Sequence, residues 1–286
     1  MKSSLKKLKK KDWKPVVRRA LKEDLGKNGD VTGSAIFSSK EKAVFTLFAK
    51  DDGVLCGIDA FAGTFAELSK KCSVDAYFSD GAVLAKGTVV ARVRGPVAAI
   101  LAGERTALNL VSHLSGIATK TAEFAAASGG KPVVLDTRKT LPGLRMLQKY
   151  AVATGGGSNH RMGLFDMVLI KDNHIDAAGG IANAVNKVRA HWGNRFKIEV
   201  ETRNLDEVRE ALSMKVDRIM LDNMTNDLMA EAVSIIAGRA ETEASGNMTI
   251  ERLRSLAGSG IDFVSFGELT HTVRALDFSL KEESVG

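Results

Sequence analysis

The sequence predicts an α/β protein with a strand-rich first part and, in its second half, an incomplete α/β barrel of the TIM type. Three observations carry this. The two halves follow different patterns. The second half alternates six strand candidates with helices. Each of those strands ends on polar, charged or glycine residues, which is how parallel α/β architectures build a ligand site.

The chain opens on a basic run, Lys2, Lys6, Lys7, Lys9, Lys10 and Lys11. No apolar stretch follows that would serve as the core of a signal peptide, and a solvated helix face is expected. A helix is predicted over 13–25, ended by Gly26, Asn28, Gly29 and Asp30. Short apolar runs follow at 43–49, 54–56, 74–78 and 88–93, set off by Asp52-Gly53, Asp80-Gly81 and Lys86-Gly87. This is strand grammar, with one helix over 58–69. A long helix over 97–127 repeats apolar residues at helical spacing (Leu101, Leu108, Val111, Leu114, Ile117), and Gly129 and Gly130 stop it. Beyond it, strands are predicted at 133–136, 167–171, 197–201, 218–222, 242–245 and 263–266. Helices over 181–192, 205–214, 227–237 and 250–256 lie between them, so the sheet should be parallel with crossover connections.

The strands finish in Asp136-Thr137-Arg138-Lys139, Lys171-Asp172-Asn173-His174, Glu199 and Glu201, Asp222-Asn223, Ser245-Gly246, and Gly267. From Glu201 to Asp222, Ser245 and Gly267 the spacing stays near ~22 residues, which suits a barrel better than a doubly wound sheet. Six strands instead of eight leave that barrel incomplete. Arg138, Lys139, His160, Arg161 and Lys171 bring positive charge to the strand ends, and Glu199, Glu201 and Asp222 bring negative charge. Taken singly, each pairs plausibly with a neighbour as a structural ion pair. Five converging cations point instead to a small, highly anionic substrate, since buried like charges repel unless a ligand neutralises them.

Glu201 and Asp222 have the character of a magnesium site completed by substrate phosphate and water. Glu199 shares a strand face with Glu201, and either could merely balance a lysine. Ser245, Gly246 and Gly267 stand where barrels hold a phosphate, though a glycine turn alone would say little. Gly155-Gly156-Gly157 marks a loop and lacks dinucleotide-binding spacing. Of the histidines, His113 and His191 fall in predicted helices and read as structural. His160, beside Arg161 in the glycine-rich loop, is the functional candidate.

Composition excludes other classes. The 286 residues are 44% hydrophobic and 26% charged, as in a globular protein, and no apolar run is long enough to span a bilayer. Two cysteines, Cys56 and Cys72, give no disulfide framework and suggest the cytoplasm. The net charge of +7, from 41 basic and 34 acidic residues, favours small-anion binding over nucleic acid, for which no motif or aromatic interleaving is present. No P-loop, nucleophile-elbow serine or zinc-spaced pair occurs.

Taken together the segments resemble the quinolinate phosphoribosyltransferase (nicotinate-nucleotide pyrophosphorylase) family. The matching stretches are EDLGKNGDVT from Glu23, GERTALNL from Gly103, LDTRKTLPGLR from Leu135, GGGSNHRMGL from Gly155 and VLIKDNHI from Val168. IEVET from Ile198, IMLDNM from Ile219, EASGN from Glu243 and GELTHTVRALDFSL from Gly267 follow in the family's order. The resemblance implies an N-terminal α/β sandwich domain over 1–115, completed by 272–286, and an incomplete α/β barrel over 116–271. It implies transfer of phosphoribosyl from phosphoribosyl pyrophosphate to quinolinate with decarboxylation, and a magnesium cofactor. It also implies a cytoplasmic homodimer in which Arg105 reaches the neighbouring active site.

By the same resemblance Arg138, His160, Arg161 and Lys171 would hold the quinolinate carboxylates, with Lys139 near both substrates. Glu201 and Asp222 would meet the ribose and magnesium pyrophosphate. Ser245, Gly246, Asn247 and Gly267 would cradle the 5′-phosphate, with His271 close by. Asn247 replaces a common glycine, Glu268 a small residue and Leu141 a threonine. Two other readings are a relative on the same scaffold with another substrate, such as those associated with molybdenum transport, and a silent anion-binding protein. The latter should have lost charged strand-end residues, and this chain retains them.

Overall fold

The computed structural model describes residues 8–38 and 40–283; Lys2, Lys6 and Lys7 of the basic run lie outside them. The chain forms two compact units. One runs to Ala122 and takes in 140–156 and the segment from Leu269 onward. The other comprises Glu123–Lys139 and Gly157–Glu268.

The first unit carries α1 (Lys10–Leu25), α2 (Gly33–Ile36), β1 (Lys42–Ala49), β2 (Gly53–Val54), α3 (Ile58–Leu68), β3 (Ser73–Ala76), β4 (Val83–Leu84), β5 (Val89–Pro96) and most of α4 (Val97–Ala127). Later in the chain come α5 (Arg145–Thr154) and the last strand, Phe278–Glu282. That last strand pairs antiparallel with β1, and β5 and β3 extend the sheet on β1's other side. Register explains the layering. Phe45, Leu47 and Ala49 lie opposite Val93, Ala91, Leu280 and Phe278 on one face. That face meets Phe61 and Phe65 of α3 and Ile100, Leu108 and Val111 of α4 in one buried core. Each fully buried side chain of this size stabilises by roughly 1.5–3 kcal/mol. The other face is polar, with Thr46, Arg92 and Asp75 in register and an Arg94–Asp75 ion pair. Helix and sheet therefore form the two layers of a sandwich. At Gly63 any side chain would strike the Trp13 ring, so glycine sets how closely α1 approaches α3.

The second unit carries β6 (Val133–Leu135), β7 (Val168–Ile170), α6 (Asp172–Ala178), α7 (Ile181–Trp192), β8 (Ile198–Thr202), α8 (Leu205–Ser213), β9 (Arg218–Asp222), α9 (Asn226–Ile236), β10 (Glu241–Ser245), α10 (Ile250–Ser255), β11 (Phe263–Ser265) and the start of α11 (Glu268–His271); the closing strand of the first unit is then β12. The six strands lie in the order β6-β11-β10-β9-β8-β7, all parallel. The first strand in the chain thus pairs with the last, as in a barrel, and only β6 and β7 share no ladder. This is the incomplete barrel that the strand count implied.

The two faces of this sheet differ sharply. Val200, Ile219, Leu221, Ala244 and Val264 are fully buried on one of them, with α8 packed against β8 and β9. On the opposite face the register aligns Glu199 with Arg218 and Glu241, Glu201 with Met220 and Glu243, and Asp222 with Ser245. Short turns then lead into helices capped by Asn204, Thr225 and Thr249, whose side chains accept from Glu207, Leu228 and Arg252 N–H groups. Each such cap contributes about 1 kcal/mol.

The short α2, β4 and α11, the helix α6 and the closing β12 were not expected as elements from the sequence, and two further departures bear on the site. α5 occupies a stretch where no helix was predicted. The strand expected to reach residue 171 stops at Ile170, because Lys171 caps α6 and its N–H donates to His174 Nδ1 (3.0 Å).

Candidate active site

The site is built at the carboxyl ends of the parallel strands. At the end of β6 the buried carboxylate of Asp136 accepts from the His160 N–H (2.9 Å) and from Asn159 Nδ2 (2.7 Å). Ser158 bridges backbone to backbone with Val134 and Asp136. These contacts fix the 157–161 loop onto β6. Arg138 and Lys139 follow directly, with the Lys139 N–H donating to Thr137 Oγ1 (3.0 Å).

Arg161 is buried, and its Nη1 donates to the Met167 carbonyl (3.2 Å). Burial lowers its pKa first, and the nearby guanidinium of Arg138 lowers it further, while Glu199 opposes the shift. Two guanidinium groups therefore sit near each other, an arrangement that a dianion would relieve.

Next along the sheet, Lys171 Nζ lies 3.1 Å from Glu201 Oε2. The Lys171 side chain remains 47% exposed while that of Glu201 is only 10% exposed, so the lysine stays within reach of a ligand. Asp222, on the same face of the neighbouring strand, accepts from Asn223 Nδ2 (2.6 Å). Glu201 and Asp222 offer hard carboxylate oxygens from adjacent strand ends, and this donor set fits a divalent cation that takes its remaining oxygens from phosphate and water.

After β10 the chain turns through Gly246 (φ 84°) and Asn247 (φ 46°). At Gly246 a side chain would collide with the Asn223 amide. Asn247 Nδ2 donates to Asn223 Oδ1 (3.0 Å), and asparagine tolerates this left-handed backbone better than most residues. This accounts for asparagine where glycine was the expected residue. Glu268 stands in the first turn of α11, where the helix dipole accommodates a carboxylate. Ser245 aligns with Asp222, and Gly267 lies between β11 and α11. Arg105, exposed on α4, and His271, whose Nδ1 lies 2.8 Å from Thr272 Oγ1, belong to the first unit.

Under the cationic end lies a buried cluster that sequence reasoning found only in part. His160 Nε2 is 3.0 Å from Glu199 Oε2 and 3.6 Å from Glu243 Oε2. Arg218 bonds Glu243 (3.1 Å) and Glu241 (3.0 Å) and covers the Phe263 ring at 4.0 Å. Glu243 and Arg218 were not anticipated as site residues. The signal was the every-second-residue acidic pattern Glu241, Glu243 beside Glu199, Glu201, which places all four on one face. Burial raises the pKa of both Glu199 and Glu243, and for Glu243 the Glu199 charge adds to the effect.

His160, Glu199 and Glu243 are close enough to hold a metal ion, each offering an atom within 4.8 Å of the others. The histidine tautomer argues against it. His160 Nδ1 accepts from the Arg161 N–H (2.7 Å), so the ring proton sits on Nε2, the nitrogen a metal would need.

Fold and site together define an α/β-barrel protein built to handle small anions carrying carboxylate and phosphate. Comparison with known proteins identifies the kind. The family model for the quinolinate phosphoribosyl transferase C-terminal domain matches residues 117–281, and that for the N-terminal domain matches 30–115. The chain belongs to the quinolinate phosphoribosyltransferase family. It is 44% identical over 288 aligned positions to quinolinate phosphoribosyltransferase [decarboxylating] 2b, mitochondrial, of Nicotiana tabacum, covering 94% of this chain and 82% of that protein. It is 42% identical to a probable nicotinate-nucleotide pyrophosphorylase [carboxylating] of Bacillus subtilis (strain 168), covering 90% of this chain and 89% of the relative. The crystal structure of NadC from Streptococcus pyogenes superposes with a TM-score of 0.93 at 39% identity, covering 98% of this chain and all of that one. Among the described residues no helix is long and apolar enough to cross a membrane.

Proposed function

We propose that the protein transfers the phosphoribosyl group of phosphoribosyl pyrophosphate to quinolinate and releases pyrophosphate, carbon dioxide and nicotinate mononucleotide. The observation that carries this is the pairing, on one sheet edge, of a cationic end with a carboxylate end. Arg138, Arg161 and the Lys171 that reaches Glu201 form the first, and Glu201 with Asp222 forms the second.

In this reading Arg138, Arg161 and Lys171 bind the two carboxylates of quinolinate, His160 lies at the same end, and Lys139 stands between the two substrates. Glu201 and Asp222 face the ribose and would hold Mg2+, which when bound would supply positive charge toward the pyrophosphate. Ser245, Gly246, Asn247 and Gly267 receive the 5′-phosphate. The pyridine nitrogen attacks C1 of the ribose as the bond from C1 to the pyrophosphate oxygen breaks. Glu201 and Asp222 stabilise the positive charge that develops on the ribose. The positive charge on the quaternary nitrogen then stabilises the electron pair left on the adjacent ring carbon when its carboxylate departs as carbon dioxide, and that carbon takes up a proton. The protein orients the reactants and arranges charge, and no covalent nucleophile is needed.

Arg105, exposed on α4, is assigned to the active site of a second copy in a homodimer. Free Cys56 and Cys72 accord with the reducing cytoplasm. The basic balance of the chain serves small anions rather than nucleic acid. The test is a coupled assay with purified protein, quinolinate, phosphoribosyl pyrophosphate and magnesium. Nicotinate mononucleotide and carbon dioxide should form together, and nicotinate should not replace quinolinate. Absence of product with quinolinate would move the activity to another acceptor on this scaffold.

A further inference from the structure

The His160 ring is bracketed by protein groups at the cationic end of the site. It is buried, and both ring nitrogens face groups of the protein. Nδ1 accepts from the Arg161 N–H (2.7 Å), and Nε2 faces Glu199 at 3.0 Å and Glu243 at 3.6 Å. The ring is thus a strut. Its foot stands on two acidic groups of β8 and β10, and its head holds the backbone of the residue whose guanidinium lies near Arg138.

We infer that Glu199, backed by Glu243, is a positioning residue for the quinolinate end of the site, acting through the His160 ring to fix the backbone and hence the guanidinium of Arg161. The inference rests on the proposed reaction for the identity of the acid but not for its geometry. Glu199 and Glu243 are themselves completely buried, so neither touches a substrate. Arg218 already bonds Glu241 and Glu243 within the sheet. A purely structural role would make the acids counter-ions of Arg218 and leave the acceptor site indifferent to them. The direct line from Glu199 to the ring is what separates the two. Asp136 supports the same loop from the other side by binding the His160 N–H, so loosening Glu199 should tilt the ring without releasing the loop.

The test uses full-length protein and two readouts. Glu199→Gln keeps the shape of the side chain and replaces the acid with an amide. With both substrates varied, KM for quinolinate should rise about tenfold or more, as when a supporting partner is lost behind a binding residue. KM for phosphoribosyl pyrophosphate should stay within about twofold. Glu243→Gln should give the same split, more weakly. Equal rises in both KM values, or a fall in kcat alone, would overturn the inference. The second readout is the 15N spectrum of the histidine rings in wild-type protein without substrate, with the His160 signal identified by its loss in His160→Asn. A neutral ring protonated at Nε2 is expected, and a proton on Nδ1 would overturn the inference even if the variants failed to fold. Because this spectrum needs no turnover, an enzyme found to prefer another acceptor would unseat the proposed reaction and leave the strut to be judged on its own.

Discussion

Lys171 Nζ lies 3.1 Å from Glu201 Oε2, a link between the cationic and carboxylate ends of the site that joins β7's end to β8. Lys171→Ala removes a cation proposed to bind substrate and strands a mostly buried carboxylate. A fall in kcat/KM of about 10²–10³, or roughly 2.7–4 kcal/mol, is expected for loss of one such charge-stabilising group. Arg138→Ala should behave alike. Steady-state kinetics on the purified variants decides the matter, and near-normal kcat/KM in either would remove that residue from the site.

Magnesium should be required through Glu201 and Asp222. Chelation should abolish turnover, and Asp222→Asn should raise the magnesium concentration giving half-maximal rate. If that concentration were unchanged in Asp222→Asn, the cation would have to be held elsewhere.

If Arg105 serves a neighbouring subunit, Arg105→Ala and Lys171→Ala should each be nearly inactive alone. Mixing and re-equilibrating the two should restore activity, because a hybrid dimer contains one site with both defects and one with neither. Random exchange leaves about a quarter of all sites intact. No recovery after proven subunit exchange would assign Arg105 to its own subunit.

The buried acids predict a pH dependence of stability. Burial pushes Glu199 up to about 7 and Glu243 up to about 8. Their folded values lie above the unfolded value of 4.5, so the folded state holds the extra protons. Their stabilising contribution is complete below the unfolded value and is lost as pH rises through the folded values. Glu243 is faced by Glu199, His160, Arg218 and Ser265, and the Arg218 charge moderates the loss. The melting temperature should decline from pH 5 to pH 8, and Glu243→Gln should flatten that decline. A variant with the same slope as the wild type would place the pH dependence in other groups.

Much of this was legible in the chain itself. The 31-residue α4 matches its apolar spacing end to end, and β9 matches its five-residue run, because long periodic segments declare themselves. α5 did not, since Gln148 and Lys149 are fully buried and break the apolar stripe. β12 is five residues long, and its partner β1 lies far away in sequence, so a local pattern could not reveal it. The charged strand ends were visible as candidates. Which of them meet was not, because that depends on register: only when Glu199 aligns with Arg218, and Glu201 with Met220 and Glu243, do the acids under His160 fall on one face.

The pairing of β12 with β1 also orders events in time. Phe278 and Leu280 belong to the core of a sheet whose other strands are all made before the first barrel strand. A ribosome delivers β1, β3 and β5 early and then spells out the entire barrel before the strand that flanks β1 emerges. The newborn first unit must wait with the edge of β1 exposed, a template for unwanted strand addition by other chains. Holding that edge until β12 emerges is work suited to a chaperone, and removing β12 would make the waiting state permanent.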